Sequence, residues 1–313
     1  MRVYRNLNEI DVEFTDCVIT VGMFDGLHLG HMSVLNKVLE ISKLNNIPSV
    51  VLSFANHPQS FFNPNAPISS LSNLEEKTER LAALGIDFLI AIPFDSFIAS
   101  LSANQFTTSI LIDLLHVSNI VFGYDNHFGQ NREGSKSYID SNFPNIKTHR
   151  IQESILNNEV VSSSLIKTKI SLGEVSQAAV LLNYPYSIAG QIIKGDQLGR
   201  TIGFPTANMQ LSNAEKLIPA FGVYLTKSFI LGQEYFGMTN IGVRPTVTNS
   251  RELRIETHLF DFEMEIYGEH IKVEFLDRLR DEKKFDSFPA LVEQLKHDQI
   301  HAKALLAQIH IAS

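Results

Sequence analysis

Two histidines three residues apart lie in a glycine-rich stretch near the start of the chain. The stretch, residues 21–35, reads VGMFDGLHLGHMSVL and contains Gly22, Phe24, Gly26, His28, Gly30 and His31. Glycine permits close backbone approach and positive φ. A helix that begins here offers unpaired N–H groups and the positive end of its dipole, which favour phosphate. Imidazoles at that point can donate hydrogen bonds to phosphate oxygens and offset charge that develops in a transition state.

A metal site and a purely structural role are the alternatives for this pair. A metal needs three or four ligands, and His28 with His31 supplies two. No HExxH pattern completes the set, and Cys17 is the single cysteine of the chain, so a thiolate site is excluded as well. A solvated or packed imidazole is the usual fate of most of the eleven histidines. The surrounding glycines make phosphate binding the favoured interpretation.

The first half of the sequence alternates strands with helices. Predicted strands are CVITVGMF, SVVLSF, IDFLIAIPF and NIVFG, and predicted helices span about His31 to Leu44, NLEEKTERLAALG and FTTSILIDLLH. In the second helix, Asn73 and Glu76 form a capping box and Gly85 follows the last turn. Short buried strands separated by helices predict a parallel, Rossmann-like sheet, in which ligands bind beyond the carboxyl ends of the strands.

The second half changes to a strand-only pattern after a short helical section, SSSLIKTKISLGEVSQAAVLL. Strand-like runs separated by Gly, Pro and Asn predict an antiparallel barrel or sandwich, and an amphipathic helix follows them near the C-terminus. At 313 residues the chain is long enough for two domains. We predict a boundary near Asn183–Pro185, which gives domains of residues 1–184 and 185–313.

The composition narrows the class of partner. The chain has 26 Lys and Arg against 34 Asp and Glu, a net charge of −8, which would repel a polyanion and argues against a nucleic-acid partner. No apolar run approaches the ~20 residues that cross a bilayer. The first residues, MRVYRNLNEIDVEF, lack the pattern of a signal peptide. We expect a cytoplasmic protein with no membrane partner, and the composition carries no signal for its oligomeric state.

Three stretches before the predicted domain boundary resemble nucleotidyltransferases. FDGLHLGH resembles the HxGH signature of enzymes that join a nucleoside monophosphate from ATP to a phosphorylated substrate. VFGYDNHFGQNREG, residues 121–134, is similar to a stretch of the prokaryotic FAD synthetases, and VSSSLIKTKISLGEV, residues 161–175, resembles their phosphate-contacting segment. The resemblance implies a flavin contact at Asp125 and Asn126. It also implies nucleotide contacts at Gly22, Phe24, Gly26, Gly30, Ser162, Ser163, Ser164 and Lys167, with His28 and His31 as catalytic residues.

Three residues depart from the pattern of the FAD synthetases. Lys167 stands where the family usually has arginine, which keeps the charge but loses the bidentate fork. Asn126 replaces a phenylalanine, and Asn56 replaces a proline. A chain whose adenylylation site has lost its function therefore stays open as an alternative at this stage.

The most specific motif lies in the second half. GDQLGRTIGFPTAN, residues 195–208, could be a glycine-rich loop between two strands. Thr206 and Asn208, however, share one face of an extended chain, and both offer the neutral oxygen ligands that suit Mg²⁺. The stretch resembles the riboflavin kinase signature, which implies that Thr206 and Asn208 hold the metal with ATP. The same resemblance assigns Gly195, Gly199 and Arg200 to the loop that covers the phosphates.

A carboxylate follows in a further motif of that module. TNIGVRPTV, residues 239–247, and IETHLFDFEMEIYGEHIKVEFLDRLRDEKKF, residues 255–285, match the riboflavin kinases in order and spacing. By position alone Glu256 would be a solvent-facing residue of a strand. The resemblance implies instead that Glu256 is the base that accepts the proton of the riboflavin hydroxyl, a poor nucleophile. It also implies a flavin contact at Arg280.

Taken together, the resemblance runs from about Val21 to Ala302 and is to the bacterial bifunctional riboflavin kinase/FAD synthetase family. It implies two reactions, phosphorylation of riboflavin to FMN in the C-terminal half and adenylylation of FMN to FAD in the N-terminal half, with ATP as co-substrate and Mg²⁺ as the metal. Three alternatives remain at this point: a kinase with an inactive N-terminal half, an N-terminal half that uses another nucleotide or phosphate ester, and a flavin-binding protein without catalysis.

Overall fold

The computed structural model describes residues 1–11, 14–63, 68–195, 198–245 and 251–312. Part of two motifs, Asp196 with Gln197 and Thr246 with Val247, lies outside the described residues. The chain forms two compact units, Met1–Ser163 and Ser164–Ser313. The boundary that the sequence predicts near Asn183–Pro185 stays a prediction.

The first unit is built on a six-stranded sheet in the order β1-β4-β3-β2-β5-β6, with every neighbouring pair parallel. Its strands are β1 (Arg2–Tyr4), β2 (Cys17–Val21), β3 (Ser49–Phe54), β4 (Phe88–Ile92), β5 (Val117–Phe122) and β6 (Lys147–Arg150). A short hairpin, β7 (Ile155–Leu156) with β8 (Glu159–Val160), follows. The predicted parallel sheet is confirmed.

Helices cover the sheet of the first unit. They are α1 (Leu29–Asn45), α2 (Pro58–Phe62), α3 (Leu74–Leu84), α4 (Ser96–Ser100), α5 (Ala103–Gln105) and α6 (Lys136–Asn142). All five residues of β2 are buried, as expected for a central parallel strand with both faces covered. Helix α3 has the predicted Asn73–Glu76 capping box and ends at Gly85 in the left-handed conformation.

Two helices of the first unit differ from the predictions in detail. Helix α1 begins at Leu29, two residues before the predicted start, so His28 is its N-cap residue. The helix predicted in FTTSILIDLLH is a π-helix over Phe106–Ile112 that continues α5. Hydrophobic periodicity marks a buried helical face but does not distinguish the π from the α hydrogen-bond pattern.

The second unit contains a closed antiparallel barrel with strand order β10-β13-β12-β11-β14-β9. Its strands are β9 (Ser187–Ile193), β10 (Ala207–Leu211), β11 (Gly222–Ile230), β12 (Gln233–Pro245), β13 (Arg251–Leu259) and β14 (His270–Asp281). The helices of this unit are α7 (Ser163–Ser171), α8 (Val175–Leu182), α9 (Leu198–Thr201) and α10 (Phe288–Ala312). The predicted antiparallel barrel and its terminal helix are confirmed.

The strand register places different polar side chains on the inner and outer faces of the barrel. On the inner face, the hydroxyls of Thr226, Thr239 and Thr257 form a buried hydrogen-bonded chain, with both oxygen–oxygen distances 2.9 Å. On the outer face, Glu256 is paired with Asn208 on one side and Asn240 on the other. Helix α10 packs over this outer face against β12 and β14, so polar side chains of three strands lie next to apolar residues of this amphipathic helix.

Within the described residues, no helix combines the length and the apolar character needed to cross a membrane.

Candidate active sites

The loop between β2 and α1 has an unusual backbone. Phe24, Gly26 and Leu27 adopt positive φ angles of 50°, 80° and 42°. Glycine accepts such angles freely, but a side chain in this region costs of order 1–3 kcal/mol, which the surroundings must offset. The loop therefore has a shape that the rest of the unit must hold in place.

Side-chain hydrogen bonds from distant residues hold the loop. The Asp25 Oδ1 atom accepts from the backbone N–H groups of Leu71 and Ser72, at 2.8 and 3.1 Å. The Ser72 Oγ atom accepts in turn from the Gly26 N–H at 3.0 Å, and the Ser163 Oγ atom donates to the Asp25 carbonyl at 3.0 Å. These bonds join the loop to the segment before α3 and to Ser163.

The two histidines lie where this loop enters α1. Their rings are stacked, with centroids 3.7 Å apart and planes 21° apart, and the His31 ring meets the edge of Phe24 at 5.1 Å. Among the described residues, neither Nδ1 atom has a hydrogen-bond partner. The pair therefore keeps hydrogen-bonding capacity that the protein itself does not use.

Burial makes both histidines neutral at pH 7. Burial lowers the pKa of His28 to about 4, against the opposing effect of the Asp25 carboxylate. Burial also lowers the pKa of His31 well below its ordinary value, helped by the neighbouring His28 and by the charge of Lys77. Each neutral ring carries one N–H donor, so the pair can contribute hydrogen bonds to an anion without carrying charge.

A cavity of about 770 Å³ opens beside the loop. The predicted residues that line it are Gly22, Phe24, His31, Asp125, Asn126 and Ser163. The predicted residues Gly26, His28, Gly30 and Ser162 are not part of its lining. Ser164 and Lys167 belong to α7, within the range of the second unit.

The two asparagines that depart from the family pattern have structural partners. The Asn126 side-chain amide donates to the Val21 carbonyl at the end of β2. The Asn56 amide donates to the Phe94 carbonyl at 3.0 Å, and its Oδ1 atom accepts from the Phe94 N–H at 2.7 Å. Both residues therefore fix the rim of the cavity, and Asn126 does so while lining it.

Sequence reasoning missed three contributors to this site. Asp25 and Ser72 hold the loop, and Lys77 is a buried lysine of α3 that donates to the loop carbonyl of Met23 at 2.6 Å. One signal was available for Lys77, because it lies three residues after Leu74 and four before Leu81, on the apolar stripe of its helix. A lysine on the buried face of a helix is expected to have a polar partner inside the protein, because its charge is costly to bury alone.

The second unit has its own cavity, of about 340 Å³, between the outer face of the barrel and α10. The predicted residues that line it are Gly199, Thr206, Asn208, Glu256 and Arg280. The apolar wall contributed by α10 consists of Phe288, Leu291 and Leu295. The structure thus brings residues of the GFPTAN and IETH motifs, about fifty positions apart, to one cavity.

The glycines of the GDQLG stretch pass close to the Thr206–Asn208 segment. A Cβ on Gly195 would overlap the side-chain amide of Asn208, and a Cβ on Gly199 would overlap the Phe204 carbonyl. Neither Gly195 nor Arg200 lines the 340 Å³ cavity. Arg200 lines a neighbouring cavity of about 440 Å³, with its guanidinium 6.0 Å from the centre of the Tyr267 ring.

Two arginines that line the cavity lie beside carboxylates. The Arg254 Nη1 atom lies 3.7 Å from the Glu256 Oε1 atom, and both side chains are about a quarter exposed. The Arg280 Nε atom contacts both carboxylate oxygens of Asp298 on α10, at 3.1 and 2.9 Å. Arg280 is therefore held at the wall of the cavity by an ion pair with the buried Asp298.

A partly buried histidine, His258, holds the segment that carries Thr206. The His258 Nδ1 atom donates to the Pro205 carbonyl at 2.9 Å, and its ring packs 5.1 Å from Phe204. Burial lowers the pKa of His258, with a smaller lowering from Lys303 and opposing effects of the Pro205 hydrogen bond and Asp261. The neutral ring serves as a hydrogen-bond donor, a role that the sequence did not reveal.

The donor set of this cavity fits a hard cation. Among the described residues, no cluster of three or more His, Cys, Asp or Glu side chains could hold a metal. Thr206 and Asn208 offer neutral oxygens at the lining of this cavity. Mg²⁺ prefers few protein oxygens together with substrate phosphates. The close passage of Gly195 against the Asn208 amide leaves a cradle that any side chain would fill.

Comparison with known proteins assigns both halves of the chain. Residues 11–165 match the FAD synthetase profile and residues 182–306 match the riboflavin kinase profile. The bifunctional riboflavin kinase/FMN adenylyltransferase of Listeria monocytogenes is 35% identical over 304 residues, which cover 95% of each chain. The protein of the same description from Bacillus subtilis is 36% identical over 297 residues, covering 94% of this chain and 93% of that protein.

A solved structure extends the similarity to three dimensions. It is described as a macrolide-efflux protein from Streptococcus pneumoniae and is 32% identical to this chain, with a TM-score of 0.89. The match covers 96% of this chain and 98% of the other. Each half of the chain thus has a cavity lined by residues of its own motifs. Because the relatives are about 35% identical over nearly the full length and both family profiles match, the chain belongs to the family of bifunctional riboflavin kinases/FMN adenylyltransferases.

Proposed function

We propose that the chain makes FAD in two steps at two separate sites. In the barrel domain, residues 185–313, riboflavin takes the γ-phosphoryl group of ATP and gives FMN and ADP. In the parallel-sheet domain, residues 1–184, FMN takes the adenylyl group of a second ATP and gives FAD and pyrophosphate. The observation that carries the proposal is the assembly of the GFPTAN and IETH residues at one cavity in a chain that also holds the paired histidines.

In the kinase step, the proposed base is Glu256. A positioned carboxylate that accepts the proton of the riboflavin 5′-hydroxyl makes this hydroxyl a better nucleophile. Arg254, 3.7 Å away, orients the carboxylate on the outer face of β13. The apolar wall from α10 suits the flat ring system of riboflavin, since such sites are mostly apolar with a few polar groups that set orientation.

Thr206 and Asn208 are the proposed holders of Mg²⁺ with ATP. When bound, Mg²⁺ would neutralise charge on the transferring phosphoryl group. Gly199 lines the same cavity and Gly195 lies against Asn208, so the phosphates of ATP would lie beside these two glycines. Arg200, in the neighbouring cavity, would contribute charge to the ATP phosphates.

The adenylylation step requires no general base. Its nucleophile is the phosphate of FMN, which is already ionised, so catalysis consists of positioning and electrostatic stabilisation. The start of α1 supplies N–H groups and the positive end of a helix dipole. His31 and His28 would add N–H donors as charge develops on the phosphates, and Ser162, Ser163, Ser164 and Lys167 are proposed as further phosphate contacts. Asp125 and Asn126 would lie beside the flavin.

A chromatographic time course of the purified protein with riboflavin, ATP and Mg²⁺ tests both steps. We expect FMN to appear first and then to convert to FAD, and His31→Ala to stop the reaction at FMN. FMN that accumulates in the unmodified protein would contradict the adenylylation step and support a kinase-only chain. Turnover with another nucleotide or phosphate ester, but not with FMN, would assign the first domain a different substrate. Flavin binding without ATP consumption would contradict both steps.

A further inference from the structure

Lys77 is a buried lysine without a role in either proposed reaction. It is 4% exposed and lies on the apolar stripe of α3. Lysine is almost never fully buried unless its ammonium group has partners, because removing the charge from water is costly. Its Nζ atom donates to the Met23 carbonyl at 2.6 Å and to the Ser53 Oγ atom at 3.0 Å. Both partners lie at the carboxyl ends of neighbouring strands.

Lys77 and Ser53 both donate to one atom of the loop between β2 and α1, the Met23 carbonyl oxygen. The Ser53 Oγ atom itself donates to the Met23 carbonyl at 3.2 Å, so that carbonyl accepts from two side chains. Met23 lies directly before Phe24, the first residue of the loop with positive φ. Because an ionised donor makes a shorter and stronger hydrogen bond than a neutral one, Lys77 is the strongest hold on this part of the loop.

The charge of Lys77 also lies near the histidines. Burial lowers its pKa to about 8, against the opposing effect of Asp25, so the ammonium remains charged at pH 7. The charge is close enough to His31 to contribute to the lowered pKa of that ring. The positive charge of Lys77, fixed next to the loop, favours the binding of an anion such as phosphate at the loop.

We propose that Lys77 is a positioning residue for adenylyl transfer: by hydrogen bonding to the Met23 carbonyl it holds the loop between β2 and α1 in the shape that binds the ATP phosphates. This inference rests on the proposed adenylylation function. It predicts that loss of the ammonium weakens ATP binding in this step as well as slowing it, since phosphate-binding groups of the loop would no longer be aligned.

The test is steady-state kinetics of Lys77→Met in the full chain, with FMN supplied so that ATP is used for adenylylation alone. We expect kcat/KM for ATP to fall about ten- to hundredfold, the loss typical of misplaced catalytic groups, with a clear rise in KM. The kinase reaction, assayed with riboflavin in the same preparation, should stay within about twofold of the unmodified protein. Lys43→Met, an exposed lysine at the end of α1, is the matched control and should change neither reaction.

Two further variants separate positioning from loss of folding. Lys77→Gln keeps a neutral donor and should recover part of the lost kcat/KM, and Ser53→Ala should raise KM for ATP in the same direction by a smaller factor. A purely structural role would reduce the fraction of active protein, and hence kcat, while KM stays unchanged in every variant that folds. That result would overturn the proposal even if Lys77→Met did not fold. If the unmodified protein makes FAD and Lys77→Met makes it equally well, the role of Lys77 alone is wrong; if the unmodified protein makes no FAD, the adenylylation function itself is wrong.

Discussion

The two sites position their reacting groups by different means. The site of the parallel sheet is a loop with left-handed backbone, held by hydrogen bonds that join it to distant parts of the unit. The site of the barrel lies on the outer face of paired strands, where the backbone ladder sets Asn208, Glu256 and Asn240 side by side. One site depends on distant hydrogen bonds, and the other depends on strand register.

This difference determines where each site is vulnerable. Register is shared over a whole ladder and is fixed by the buried inner face of the barrel, so changing one outer residue leaves its neighbours in place. A loop with positive φ angles keeps its shape only while its surroundings enforce it. We therefore expect the kinase site to be sensitive mainly to its own motif residues, and the adenylylation site to be sensitive also to buried residues outside its motifs.

The largest expected effect is on the barrel side of this comparison. Glu256→Gln removes the proposed base while it keeps the size of the side chain and the strand pairing, so kcat of riboflavin phosphorylation should fall about 10²- to 10⁴-fold. Adenylylation of added FMN should be unchanged. The exposed Glu269, before β14, provides the control Glu269→Gln, which should leave both reactions intact. The two rates are measured separately with riboflavin and with FMN.

Full kinase activity of Glu256→Gln would mean that this carboxylate takes no proton, and the outer face of the barrel would then need another base. A loss of both reactions would indicate instead that the two sites are not independent.

What the sequence predicted well is local or belongs to contiguous motifs. The capping box of α3 involves residues three apart, and its prediction from Asn73 and Glu76 is confirmed. The alternation of helix and strand, the parallel sheet and the barrel follow from hydrophobic periods and turn residues. Thr206 and Asn208 lie at one cavity because residues two apart in an extended chain share a face.

What the sequence did not show depends on contacts between distant residues. The bond between Lys77 and the Met23 carbonyl joins residues 54 positions apart, and the bonds of Asp25 to Leu71 and Ser72 span 46 and 47. No local pattern reports such pairs. The ion pair of Arg280 with Asp298 is of the same kind, since it depends on how α10 packs against β14.

The next effect tests the electrostatics of the parallel-sheet site. His28 has a pKa of about 4 in the folded protein against an ordinary value of 6.5. Its neighbours His31, Lys77 and Asp25 are all in the same buried network. The unfolded chain binds a proton at His28 below pH 6.5 and the folded protein does not until about pH 4, so stability is lost as pH falls through this window. The loss from His28 amounts to about 3 kcal/mol.

The single cysteine makes this prediction measurable for the first unit alone. Cys17 is fully buried in β2, so its reaction with a pyridyl disulfide, a reagent that works at acid pH, reports opening of the parallel sheet. Urea midpoints from this labelling should fall between pH 7 and pH 4.5, and fall less in His28→Gln. Equal pH dependence in both proteins would show that His28 is not held neutral by burial.

The smallest expected effect concerns a segment of the barrel site that is held by a distant side chain, as the loop of the parallel-sheet site is. Thr206 lies in a segment outside the strands, and the His258 Nδ1 atom holds that segment at the Pro205 carbonyl. A neutral hydrogen bond contributes about 0.5–1.5 kcal/mol, so His258→Leu should lower kcat/KM for ATP in the kinase step up to about tenfold. His258→Asn, which places an amide donor near the same position, should lose less. If asparagine and leucine behave alike, the Pro205 bond does not set the position of Thr206, and strand register alone, through β10 and its partners, is sufficient to build the kinase site. If asparagine rescues, even the barrel site needs one long-range side-chain bond at the point where its backbone ladder ends.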